Sequence, residues 1–253
     1  MGSTKARRPP AGPDEPLRPL AVDPAPGETA TRLTAVVAPP EREPAVQPNR
    51  RRILGAALKE FAARGYDGAT TAGVARRAGV TQPLVHYYFD SKSVLWQAAM
   101  THIIGEMKNS FGTDLNELSD LSPVDQLKVL VRRFVYFSAA HPEFGCILSF
   151  EGAVGGPRLE WLLEQQSNVQ LALVAQLISD GQAEGWIKPL PLDHLVTCLG
   201  AAAGYIFVVR ATMAHLYEMD VDDPETVERH ADTIVELFFN GMLQTPAEPV
   251  AVS

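Results

Sequence analysis

The chain has 253 residues, 46% of them hydrophobic, enough to bury the core of one small module and one larger body, and its two cysteines are too few for a disulfide-stapled secreted framework. The net charge of -8 argues against a polyanion partner for the chain as a whole, but residues 49–92 carry eight Lys or Arg against three Asp or Glu, while residues 93–253 carry eight against twenty-one. A basic module beside an acidic body points to a nucleic-acid partner for the module, set against the plainer reading of a solvated charged face.

Residues 1–48 hold eleven of the twenty prolines and no aromatic residue, so they cannot bury enough apolar surface to offset the entropy of ordering. A disordered tail is predicted there. Its Lys5-Ala6-Arg7-Arg8 start either touches DNA phosphates or is a dispensable solvated end. Lys5, Arg7 and Arg8 are followed by prolines instead of an apolar run, so no signal peptide is expected and a cytoplasmic protein is. The longest apolar stretch, Leu195 to Val209, is short for a membrane span.

Order is expected from Asn49, a good helix cap, with Ile53, Leu54, Ala57, Leu58 and Phe61 at helical spacing and Gly65 as the stop. A helix over about 50–64 follows. In Thr70 to Lys92, Thr71 caps a short helix through Ala78, Gly79 allows a turn, and Thr81 caps a second short helix that tolerates Pro83 in its first turn. Asp90 or Ser91 caps the next. Val74, Ala75, Val80, Val85 and Phe89 form a small core between the two helices. Two short helices on a tight turn are a helix-turn-helix, which holds one helix against the phosphate backbone while the second enters the major groove.

From residue 92 onward the pattern stays helical, punctuated by Pro123, Pro142, Pro157, Pro191 and Pro224. Helices are predicted over about 92–110, 123–140, 143–153, 158–184, 191–217 and 224–243, with a loose end over 244–253. The fold class is all-α: a three-helix head over 49–95 with its motif at about 70–89, and a helical body over 96–243. No G-x-S-x-G elbow, H-E-x-x-H pair or phosphate-binding glycine loop occurs. No cofactor is called for, and no second ligand stands at metal-site spacing from His86.

Residues 50–97 resemble the DNA-binding domain of the TetR/AcrR family of transcriptional regulators. The resemblance is carried by Phe61 and Gly65, the Thr70-Thr71 pair, Val74-Ala75, Ala78-Gly79-Val80, Tyr87-Tyr88-Phe89, Ser91-Lys92 and Leu95. Gly73 departs from it, standing where the family often has an acidic or other polar residue. The resemblance implies that Gln82, Pro83, Leu84 and His86 face base edges or the groove wall. It implies phosphate contacts for the Thr70-Thr71 pair, Thr81, Tyr87 and Lys92. Core packing is the alternative for part of the Tyr87-Tyr88 pair.

His141-Pro142-Glu143-Phe144, with Ile147, Leu148 and Glu151, is also similar to a stretch frequent in this family. The family's body binds a small molecule and dimerises through its last two long helices. That implies a homodimer through residues 191–217 and 224–243, an inverted-repeat operator and a small-molecule effector. Both segments are apolar around more than one face, as a helix that is buried inside a subunit and also against a partner must be. Phe137, His141, Phe144, Phe150, Arg158, Trp161, Leu162 and Tyr205 are the candidate pocket residues; core packing is the competing reading for each aromatic. An effector-free architectural DNA-binding protein and an enzyme are the alternatives. A solidly packed body would favour the first, a nucleophile beside a base the second.

Overall fold

The computed structural model describes residues 48–111, 118–165 and 169–240. The expected tail and loose end lie outside them, apart from Pro48. Among the described residues all regular structure is helical. The head is α1 (Pro48–Gly68), α2 (Thr71–Ala78) and α3 (Gln82–Tyr88), and α4 (Lys92–Phe111) runs from it into the body. The body holds α5 (Pro123–Ala140), α6 (Pro142–Val154), α7 (Pro157–Gln165), α8 (Val169–Ala183), α9 (Leu192–Val208), α10 (Arg210–Tyr217) and α11 (Pro224–Asn240).

The face of α1 expected from spacing is buried: Ile53, Leu54, Ala57, Leu58 and Phe61. Each large aliphatic or aromatic there contributes about 1.5–3 kcal/mol. The helix breaks at Gly65, whose φ of 65° and ψ of 174° only glycine takes cheaply. The cap of α2 is Thr70, not Thr71 as the sequence suggested, with its hydroxyl accepting from the Gly73 amide at 3.0 Å. Gly79 closes α2 in the left-handed region, and Arg52 reaches across from α1 to donate to the Ala78 carbonyl at 2.7 Å. Ser91 caps α4, accepting from the Val94 amide at 3.1 Å.

In the body, α5 is central and packs against α4, α6, α8, α9 and α11. Ser122 caps it, accepting from the Asp125 amide at 3.2 Å. Its outer face is tied to α11, where Arg132 pairs with Glu228 and Asp232 and the Tyr136 hydroxyl donates to Glu228. The Glu228 carboxylate beside that phenol pushes its pKa up. The expected division at residue 95 falls inside α4, and one hydrophobic cluster runs from Ile53 through Trp96 to Leu177. A second gathers Val131, Leu199, Phe207, Ala231 and Ile234 between α5, α9 and α11.

One predicted helix comes out as a bent pair, and another is described only on either side of an undescribed stretch. The segment 158–184 gives α7 and α8, with 166–168 outside the described residues. The segment 191–217 bends by 73° between α9 and α10. At the bend Val209 leaves helical geometry, Thr212 donates back to its carbonyl at 2.8 Å, and Arg210 is drawn to Asp222 at 3.3 Å. Among the described residues no single helix is long and apolar enough to cross a membrane.

Burial pushes the imidazoles of His141 and His230 below the ordinary 6.5. The unfolded chain takes up protons near 6.5 while the folded imidazoles stay neutral. Their stabilisation is therefore complete above 6.5 and lost as the pH falls through 6.5 toward the lower folded values. The unfolding midpoint should fall between about pH 7.5 and about pH 5.5, and more gently in His230→Gln. Thermal melts across that range check it; an unchanged slope in His230→Gln would contradict it.

Candidate nucleic-acid interface

The first turns of α2 and α3 present one polar cluster. Gln82 Nε2 donates to Thr71 Oγ1 at 3.2 Å and lies 3.3 Å from His86 Nε2, which is 3.4 Å from the same Thr71 oxygen. Gln82 and His86 are exposed, four residues apart on one face of α3, and Thr71 is half-buried. A glutamine held in this way offers its amide to a base edge with part of the ordering cost already met.

The neighbouring candidates divide by burial. Pro83 occupies the first turn of α3 and is exposed. Thr81 is exposed, and its hydroxyl makes no cap bond. Tyr87 is 77% exposed with its ring edge-on to Tyr88 at 5.2 Å. The core alternative therefore applies to the half-buried Tyr88 and not to Tyr87. Leu84 is half-buried beside Val85, which is wholly buried and pins α3 to the head. Thr70 is committed to capping α2.

Lys92 is placed differently from the phosphate role expected of it. Its ammonium donates to the carbonyls of Tyr66 at 2.9 Å and of Asp67 and Ala69 at 3.3 Å, and sits 4.6 Å over the Tyr66 ring. Its three donors are spent on the backbone just beyond the break in α1 at Gly65. Lys92→Ala should therefore lower the stability of the head by about 1–3 kcal/mol. The salt dependence of DNA binding should stay unchanged, where a lost phosphate contact would reduce its slope by about one unit. Urea unfolding and a salt titration separate the two roles.

Sequence reasoning missed Glu60. It is 1% exposed inside the head, with Arg64 at 3.1 Å and Arg77 at 2.8 Å on its two oxygens. A Cβ on Gly73 would lie 2.2 Å from Glu60 Oε1. The departure at Gly73 thus has a physical cause. The acidic group at the start of α2 comes from α1, and it favours the positive end of the helix from there. A signal existed: Glu60 falls on the apolar face of its helix, one turn beyond Ala56.

Of the candidate pocket residues, Phe137, His141 and Phe144 pack on one another. Phe137, Phe144 and Leu162 are core, and His141 packs on Phe137 at 5.0 Å. Trp161 packs on Trp96 at 5.4 Å, and Arg158 pairs with the buried Glu151 at 2.9 Å. Tyr205 is 58% exposed on the outside of α9. Aromatics on inward helix faces fill the core first. Phe150 alone of the eight lines either of the two body cavities described here, a small one at the α1–α6 junction. The larger, of about 410 Å³, lies elsewhere, between α5, α8, α9 and α11. Leu127, Ile178, Trp186 and Phe238 are among its walls, and it also carries Lys128 and Lys188.

Residues 53–99 match the family described as bacterial regulatory proteins, tetR family, and residues 123–238 match the tetracyclin repressor-like C-terminal domain. The two matches together span more than half of the chain. The transcriptional repressor NicS of Pseudomonas putida is 25% identical over 196 residues, 76% of this chain and 92% of that protein. The transcriptional regulator RutR of Escherichia coli is 26% identical over 201 residues, 78% and 93% of the two chains. Among solved structures, AibR with isovaleryl coenzyme A and operator DNA aligns with a TM-score of 0.60 at 18% identity, over 76% of this chain and 98% of its own. FadR of Bacillus subtilis with stearoyl-CoA aligns with a TM-score of 0.57 at 14% identity, over 76% and 99%.

Proposed function

Because the chain belongs to the tetR family of bacterial regulatory proteins, we propose that it is a homodimeric transcriptional repressor that a small amphipathic anion releases from an inverted-repeat operator. The observation that carries this reading is the Thr71–Gln82–His86 cluster, in which Thr71 of α2 holds the exposed Gln82 and His86 of the recognition helix. Gln82, Pro83, Leu84 and His86 would read the groove. Thr71, Thr81 and Tyr87, with arginines of α1 and α2, would hold phosphates. Two such helices one helical turn apart, about 34–36 Å, fit successive major grooves. The protein would act in the cytoplasm, as a regulator and not a catalyst.

Dimerisation is assigned to α9–α11. Tyr205, Leu216 and Tyr217 are exposed there. Exposed apolar side chains on adjoining helices suit burial across a two-fold axis. The effector is assigned to the chamber of about 410 Å³, whose walls suit an apolar chain while Lys128 and Lys188 suit an anionic head. The acyl-CoA ligands of AibR and FadR belong to that chemical class. A ligand lowers operator affinity only as far as it prefers the non-binding arrangement.

Sedimentation at micromolar concentration should show a dimer, and isovaleryl coenzyme A should weaken retention of the chain on its selected operator. Lys188→Glu should blunt that response and leave operator binding without ligand unchanged. A stable monomer would overturn the dimer, and release that is equal in Lys188→Glu would overturn the assigned chamber.

A further inference from the structure

The repressor reading leaves unused the cavity at the junction of head and body. It measures about 140 Å³ and lies between α1, α4 and α6. Its walls are largely aromatic: Phe61 stacks on Tyr66 at 6.0 Å, Tyr66 meets Trp96 edge-on at 6.2 Å, and Phe150 closes one side.

Two of the lining residues carry buried polar atoms that no protein group satisfies. Glu151 is 1% exposed; its Oε1 accepts from Arg158 Nε at 2.9 Å, while its Oε2 has no partner. Trp96 is 2% exposed, and its Nε1 has no acceptor. Folded proteins seldom leave such groups orphaned, because each forfeits its hydration and gains nothing in return. One of the two is an acceptor only and the other a donor only. A hydroxyl is the group that suits both, with a hydrogen to give to an acceptor such as Glu151 Oε2 and a lone pair for a donor such as Trp96 Nε1. Arg158 already balances the charge of Glu151, so no cation is required. A cavity of about 150 Å³ is large enough for a benzene ring.

The geometry points to a second ligand site here, for a small neutral molecule carrying a hydroxyl on a ring-sized apolar body. The site spans the break in α1. Gly65 turns there with a φ of 65°, and the Phe150 ring of α6 lies 3.6 Å from where a Cβ would stand. An occupant would touch head and body together and bias the angle between them.

Calorimetry on the full chain without DNA tests the site independently of the repressor reading, with phenol and toluene as probes. Phenol should bind about tenfold more tightly than toluene, because only phenol satisfies the two orphaned atoms. Trp96→Phe keeps a ring and removes the donor, so it should erase most of that advantage and leave toluene unaffected. Leu190→Trp, in the larger chamber, should change neither. In the unmodified chain phenol should slow alkylation of Cys146, which lines the site, and leave the exposed Cys198 as reactive as before. Equal binding of the two probes, no binding at millimolar phenol, or loss in Leu190→Trp with none in Trp96→Phe would each overturn the assignment.

Discussion

Gly73→Asp should destabilise the folded chain by about 3 kcal/mol, and truncating Glu60 in the same chain should return most of that loss. A Cβ on residue 73 would stand 2.2 Å from Glu60 Oε1 and 2.8 Å from its Cδ. The Glu60 side chain cannot swing away cheaply, because Arg64 and Arg77 hold both of its oxygens and it is 1% exposed. The new carboxylate would also repel the one already there. Any gain in helix propensity over glycine is less than about 1 kcal/mol and does not offset this. In Glu60→Ala/Gly73→Asp one carboxylate again serves the start of α2, now from α2 itself. A double-mutant cycle by urea unfolding measures the coupling. Additive single effects would mean that the two positions are independent.

Gln82→Ala should cost about 1–3 kcal/mol of discrimination at one base pair of each half-site, with much less loss on random duplex. The amide is exposed at the first turn of α3 and is held by Thr71, at 3.2 Å, and His86. Alanine removes the hydrogen-bonding edge without touching Val85, which anchors the helix at 0% exposure. The head should therefore remain folded while its sequence preference relaxes. Anisotropy titrations on operator, single-substituted operators and random duplex read this directly. Equal losses on all three would move Gln82 to a phosphate-binding role.

The head was legible because its punctuation is local. Gly79 needs only its own left-handed turn, Pro83 only a first-turn position, and Ser91 only the amide of Val94. What was not legible acts across the fold. The ammonium of Lys92 is claimed by carbonyls beyond the break in α1 at Gly65, and the room at residue 73 is filled by a side chain from another helix. Composition could not decide whether an inward aromatic borders a cavity or fills the core, and Phe137, Phe144 and Leu162 are buried core away from the chamber between α5, α8, α9 and α11. The chamber draws on α5, α8, α9 and α11, a set that no short motif records. The bend at Val209 was hidden because the apolar pattern of α9 continues into it, while the Asp222 that draws Arg210 lies beyond α10.

Selection of bound duplexes from a random-sequence library decides whether this chain reads DNA sequence as a symmetric dimer. A symmetric dimer should enrich an inverted repeat whose half-sites lie about one helical turn apart, with the preference lost in Gln82→Ala at one position of each half. Failure to enrich any sequence at low salt, where weak phosphate contacts still hold, would contradict it.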